Sequence, residues 1–99
     1  MTSKVSIGRI VHYTLNDQDA KAINGRRTDA AVSEIGHTGR VIHVGNTVKA
    51  GDVYPAMCVR DWGSSANFQV YLDGNDTYWA TSRSEGDGPG TWAWPVRDG

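Results

Sequence analysis

Tryptophan is the residue type out of proportion in this 99-residue chain, and Trp62, Trp79, Trp92 and Trp94 all lie in its C-terminal part. Trp92 and Trp94 are two residues apart, so an extended backbone projects both from one face. A pair of indoles can stack on a planar ring, and stacking on a nucleobase contributes roughly 1 to 3 kcal/mol per base. Arginines sit beside the aromatics: Arg60 precedes Trp62, and Arg83 follows Tyr78 and Trp79. A guanidinium grips phosphate oxygens in pairs while an indole holds the base. Trp92, Trp94, Arg83, Arg60, Tyr78 and Trp62 are therefore the candidate binding residues, for a small anionic ligand such as a nucleotide. The aromatics also have a purely structural use, because large rings fill a core too small for many aliphatic side chains. On that reading Trp79 joins Phe68, Val70 and Leu72 inside, with Trp62 a further core candidate. Trp92 and Trp94 stay open between core, ligand site and subunit interface.

The residues that run covalent or acid–base chemistry are sparse. Cys58 lies between Met57 and Val59 in a strand-like stretch and reads as a small buried hydrophobe. A lone cysteine forms no internal disulfide and no cysteine-based zinc site. His12, His37 and His43 match no ligand spacing, and His12 points away from Val11 and Tyr13. Asp73 and Asp76 flank a Gly-Asn pair, which is hairpin chemistry rather than a calcium loop. The glycine-rich run at 86–90 lacks the Lys-Ser/Thr and the helix that a phosphate loop needs. The expectation is a protein that is not an enzyme and holds no cofactor or metal.

Charge limits the partners. The net charge is −1, with the first half of the chain basic and the second half acidic. A polymer of phosphates calls for a basic stripe, so nucleic acid is disfavoured as a partner. The opposed halves suit self-association, and a homo-oligomer is expected. Hydrophobic residues make up 38% and charged residues 21%, the balance of a globular chain. No apolar run is long enough to cross a bilayer and none follows Met1 as a secretion signal would, which points to a reducing cytoplasm.

These side chains must be positioned by short elements. Residues 7–15 are rich in β-branched and aromatic types and read as a strand, with Ile7, Val11, Tyr13 and Leu15 on one face. Asn16 or Asp17 can cap a helix over 16–31, whose thin apolar stripe is Ala20, Ile23, Arg27 and Ala30/Ala31. Residues 33–40 contain two glycines and no periodicity, which predicts a loop. After that the chain turns to strands: 41–44, a turn at Gly45-Asn46, 53–62 with a break or bulge near Pro55, 67–72, a turn over 73–76, and 77–82. A glycine-rich loop follows, and Trp92-Ala-Trp-Pro95 makes a last short strand. The whole is one domain over 1–99, mainly β with one helix: a small antiparallel β-barrel or strongly bent sheet of five or six strands, the barrel strands within 41–95.

Two resemblances follow from particular blocks. Gly51-Asp-Val-Tyr-Pro-Ala-Met-Cys-Val59, then Phe68-Gln-Val-Tyr-Leu-Asp-Gly74 and Tyr78-Trp79, is similar to the layout of Src-homology-3-like barrels of the Tudor and PWWP type. Ile7-Gly-Arg-Ile-Val-His-Tyr13, Gly51-Asp-Val-Tyr-Pro55, Leu72-Asp-Gly-Asn-Asp-Thr-Tyr-Trp79 and Gly86-Asp-Gly-Pro-Gly-Thr-Trp-Ala-Trp-Pro95 together resemble short accessory proteins of tailed bacteriophages of actinobacteria. That resemblance implies a phage protein acting in the host bacterial cytoplasm. The expected function is then a small binding protein, in its most concrete form an anti-defence sponge that sequesters a nucleotide second messenger without cleaving it. The alternatives are an interaction or virion-associated module that docks on a host protein through the C-terminal Trp edge, and a small enzyme that degrades a signalling nucleotide.

Overall fold

Alternation builds the first strand, β1 (Ile10–Thr14), in which Val11 and Tyr13 are buried and His12 is exposed. The computed structural model describes residues 5–38, 47–74 and 76–95, and the side chains of all of these except 29–38. β1 starts three residues later than the 7–15 pattern predicts. Gly8 adopts a left-handed φ of 91°, and its N–H donates to the Cys58 carbonyl at 2.8 Å, so the chain turns before the strand begins. Ile7 lies on that turn, exposed, rather than on the inner face.

The helix, α1 (Asp17–Thr38), opens with a reciprocal cap. The Asn16 side chain accepts from the Asp19 N–H at 2.8 Å, and the Asp19 carboxylate accepts from the Asn16 N–H at 3.1 Å. Two N–H groups that the first turn leaves without helical partners are thereby satisfied. Ala20, Ile23 and Arg27 are buried, as the stripe predicts. The helix outruns its expected end at 31 and takes in most of the expected loop over 33–40, Gly36 included. Glycine costs a helix about 1 kcal/mol relative to alanine, which weakens the element without ending it. The expected strand 41–44, its Gly45-Asn46 turn and His43 lie outside the described residues.

Three strands then run antiparallel in sequence: β2 (Val53–Asp61), β3 (Ala66–Tyr71) and β4 (Thr77–Arg83). β2 is not broken at Pro55. That residue pairs with His12 and lies beyond the last β2–β3 pair, Ala56 with Val70, so its missing N–H removes no rung on that side. The irregularity falls instead between Cys58 and Arg60. Phe68, Val70 and Leu72 are buried as their alternation requires. The last strand, β5 (Trp92–Ala93), returns antiparallel to the free side of β1.

The five strands form one sheet in the order β4-β3-β2-β1-β5, and it does not close into the expected barrel. β5 has two residues and is followed by Pro95, too little to make a ladder with β4. What joins the two ends is an isolated Glu85–Trp92 bridge, with Trp92 N–H donating to Ser84 at 3.2 Å and Gly86 N–H donating to Trp92 at 2.9 Å. The core is the inner face of this sheet, where Val11, Tyr13, Ala56, Cys58, Phe68, Val70 and Ala80 meet Ala20 and Ile23 of α1.

Candidate functional site

The inner face holds a fully buried carboxylate. Asp19 is carried there by the cap geometry that starts α1, and hydroxyls from two strands reach it. Its Oδ2 accepts from the Tyr13 hydroxyl of β1 at 2.5 Å, and its Oδ1 accepts from the Tyr78 hydroxyl of β4 at 2.9 Å and from Arg83 Nη2 at 3.0 Å. Arg83 arrives because the register slips between Ala66 and Phe68, which sets it opposite Ala66. Its guanidinium also lies 5.8 Å from the Tyr13 ring centre. Burial, reinforced by hydrogen bonding to Asp19, pushes the Tyr13 and Tyr78 phenols above their ordinary range, so both act as neutral donors. A carboxylate with four donors on two oxygens has no room for a substrate atom. This cluster fastens helix to sheet, and it engages the Tyr78 hydroxyl and Arg83 Nη2 of the expected ligand set with Asp19.

A second clamp works at the β3–β4 turn. Asp76 receives Arg27 Nε at 3.0 Å and Nη2 at 2.8 Å, the paired geometry of a guanidinium on a carboxylate, and Arg26 Nη2 at 2.9 Å. Arg27 holds the Asp76 carboxyl below its usual range, with Arg26 adding to the effect. The turn aspartate read as hairpin chemistry is thus also an anchor for α1. The signal available in sequence was Arg27 sitting on an otherwise apolar stripe.

The tryptophans separate. Trp92 is 5% exposed, with its ring 5.9 Å from Phe68 and edge-on to Trp94 at 5.6 Å. The two indoles share a side, as their spacing predicts, but they pack on one another and inward, with Arg9 lying 4.9 Å over the Trp94 ring. Trp62 is 52% exposed, with Arg60 stacked 4.4 Å over it and Nε1–H donating to Asn67 at 3.0 Å. Trp79, expected in the core, is 59% exposed. The β3–β4 register decides this: Trp79 pairs with Gln69, while Tyr78 pairs with Val70 and Ala80 with Phe68, so the pleat turns Trp79 outward. The expected constellation of stacked indoles and phosphate-gripping arginines is therefore not assembled at one place.

What the fold does assemble around Trp92 is a cleft of about 630 Å³, within the range of small-molecule sites. One wall is the β2–β3 connection, Gly63, Ser64 and Ser65; the other is the segment after β4, Ser84, Glu85, Gly86 and Asp87; Val5, Trp92 and Ala93 complete it. The indole N–H of Trp92 is buried without a hydrogen-bond partner. Arg83 Nε shares that state, and each unmet donor costs about 1 to 3 kcal/mol. The glycine-rich loop is tied down rather than free. Gly90 N–H donates to Thr14 at 2.7 Å, Thr14 N–H donates to Thr91 at 3.0 Å, and Gly90 has a φ of 81° with no room for a Cβ beside Asn16.

The chain matches no protein-family model, no curated protein and no solved structure. Neither resemblance expected from the residues gains support from these comparisons. Among the described residues, no three His, Cys, Asp or Glu side chains gather as a metal site would. Cys58 is buried, and that burial raises its thiol above the ordinary range. His12 is exposed on the outer face of β1.

Proposed function

We propose that this protein is a small binding protein that holds a low-molecular-weight ligand in the Trp92 cleft without transforming it. The observation that carries the reading is an open cleft of ligand size lined by the Trp92 side chain, three serines and two carboxylates. Glu85 and Asp87 accept from hydroxyl or amino groups, and the three serines of the lining donate or accept. A nucleoside offers all of these groups, and in a nucleotide the base and ribose would enter while the phosphates stay toward solvent. The described lining contains no arginine or lysine to hold phosphate, so the anionic part of a nucleotide contributes least.

Calorimetric titration against cyclic dinucleotides, ADP-ribose derivatives and the matching neutral nucleosides tests this. The expected result is a dissociation constant of about 50 μM or tighter for at least one member. Neutral nucleosides should retain most of that affinity, and the ligand should come back unchanged after heat release. Glu85→Ala, which removes an exposed acceptor of the lining, should weaken binding about tenfold. No binding across the panel would overturn the reading, and a chemically altered ligand on release would replace it with an enzyme.

A further inference from the structure

Among the described residues, three pairs place an aspartate or asparagine directly before a glycine: Asn24-Gly25, Asp73-Gly74 and Asp87-Gly88. At such a pair the glycine nitrogen can attack the preceding side-chain carbonyl carbon, because no Cβ obstructs its approach. At neutral pH an asparagine amide is a better electrophile than an ionised carboxylate, so residue type alone marks Asn24 as the reactive one. The fold reverses that order. Both ends of the Asn24 amide are clamped to Val48, at 2.7 and 3.0 Å, and the Gly25 N–H lies inside the α1 ladder. The Gly74 N–H donates to the Leu72 carbonyl at 2.9 Å. Asp87 is exposed, and among the described residues neither its carboxylate nor the Gly88 N–H has a hydrogen-bond partner. The loop is tied around the pair instead: the Gly86 N–H donates to Trp92 at 2.9 Å, and the Gly88 carbonyl accepts from Thr91 Oγ1 at 2.6 Å.

We infer that Asp87-Gly88 is a site of spontaneous covalent rearrangement in the wall of the cleft. The Gly88 nitrogen bonds to Asp87 Cγ of the protonated carboxyl group. The carboxyl hydroxyl and the amide proton leave together as one water, and a five-membered succinimide closes. Water then adds to either ring carbonyl. Opening at the side-chain carbonyl restores aspartate. Opening at the former peptide carbonyl leaves the chain running through the side-chain carbon, as isoaspartate. The product keeps the mass and the charge, but its backbone is longer by one carbon and its side chain shorter by one. Asp87 lines the cleft, so the rearrangement moves one of the two lining carboxylates and resets that wall. It does so whatever the cleft binds.

Incubating the full folded chain for several weeks at neutral pH in water labelled with oxygen-18, then digesting with trypsin in ordinary water, tests the inference by mass spectrometry. The three pairs fall in separate tryptic peptides, residues 22–26, 61–83 and 84–97. The expected result is uptake of heavy oxygen and a chromatographically distinct isoaspartyl form in 84–97, about tenfold faster than in 61–83, with the Asn24 amide retained. Asp87→Glu, which would need a six-membered ring, should abolish the uptake in that peptide. Gly88→Ala, whose added Cβ meets nothing within 4 Å, should slow it about tenfold with the fold kept. In the urea-unfolded chain Asn24 should convert first. A folded chain in which Asn24 converts before Asp87, or in which Asp87 takes up no label, overturns the inference. An unfolded chain in which Asp87 still leads overturns the role given to the fold.

Discussion

At the scale of single residues, stability concentrates on a few buried polar atoms. Asp19→Ala leaves Tyr13, Tyr78 and Arg83 facing an empty position, and the expected loss is about 3 to 5 kcal/mol in urea denaturation. Tyr78→Phe removes one donor of four and should cost about 1 kcal/mol. The same two phenols set the alkaline limit. Their folded values lie above the ordinary 10.0, so above that pH the unfolded chain releases protons that the folded chain keeps. The stability they provide is complete below about pH 10 and is lost as pH rises beyond it, which tyrosinate absorbance followed through an alkaline titration would register as one cooperative step. Asp76 sets the acid limit with opposite sign. Its folded value lies below 3.8, so its contribution is present above that pH and disappears as pH falls through the lower, folded value. Asp76→Asn should therefore be less stable than the natural protein at neutral pH by about 2 kcal/mol, and equal to it in strong acid.

At the scale of elements, α1 is weak by propensity and is held by its partners. Asn24 donates to the Val48 carbonyl at 2.7 Å and accepts its N–H at 3.0 Å, a side-chain imitation of a backbone rung that ties 47–49 to the helix. Gly25 is exposed, has nothing within reach of an added Cβ and no left-handed φ. Gly25→Ala should stabilise the fold by about 1 kcal/mol, seen as a higher denaturation midpoint at unchanged slope. Gly90→Ala should act the other way, because its φ of 81° strains an L-residue and its Cβ would meet Asn16 Nδ2 at 2.9 Å, disturbing the helix cap. The first strand, the helix start and the 67–72 alternation were legible beforehand, since each is written in a local period or a capping residue. The extension of α1 through Gly36 was not, because glycine is a penalty rather than a stop.

At the scale of the whole molecule, two strand slips and one short strand govern the outcome. The slip between Ala66 and Phe68 brings Arg83 to Asp19, and the φ of 55° at Ser82 is stabilised by its N–H donating to Asn67 at 2.8 Å. The two-residue β5 leaves the sheet open and leaves a cleft where a ladder would have closed it. The candidate site shows the same division. Trp92 was marked from composition alone, but its burial against Phe68 and its unmet N–H belong to the packing. Composition, charge and periodicity by themselves determined a mainly β chain with one capped helix and an apolar inner face on β3, because these depend on neighbours one to four residues apart. The side of the sheet taken by Trp79, the convergence of Tyr13, Tyr78 and Arg83 on Asp19, and the capture of Asp76 by the helix were decided by tertiary structure. Apart from the Tyr13–Asp19 bond, whose partners are six residues apart, they depend on strand register and on contacts spanning about fifty residues or more, and a one-residue change of register moves a side chain from one face of a sheet to the other.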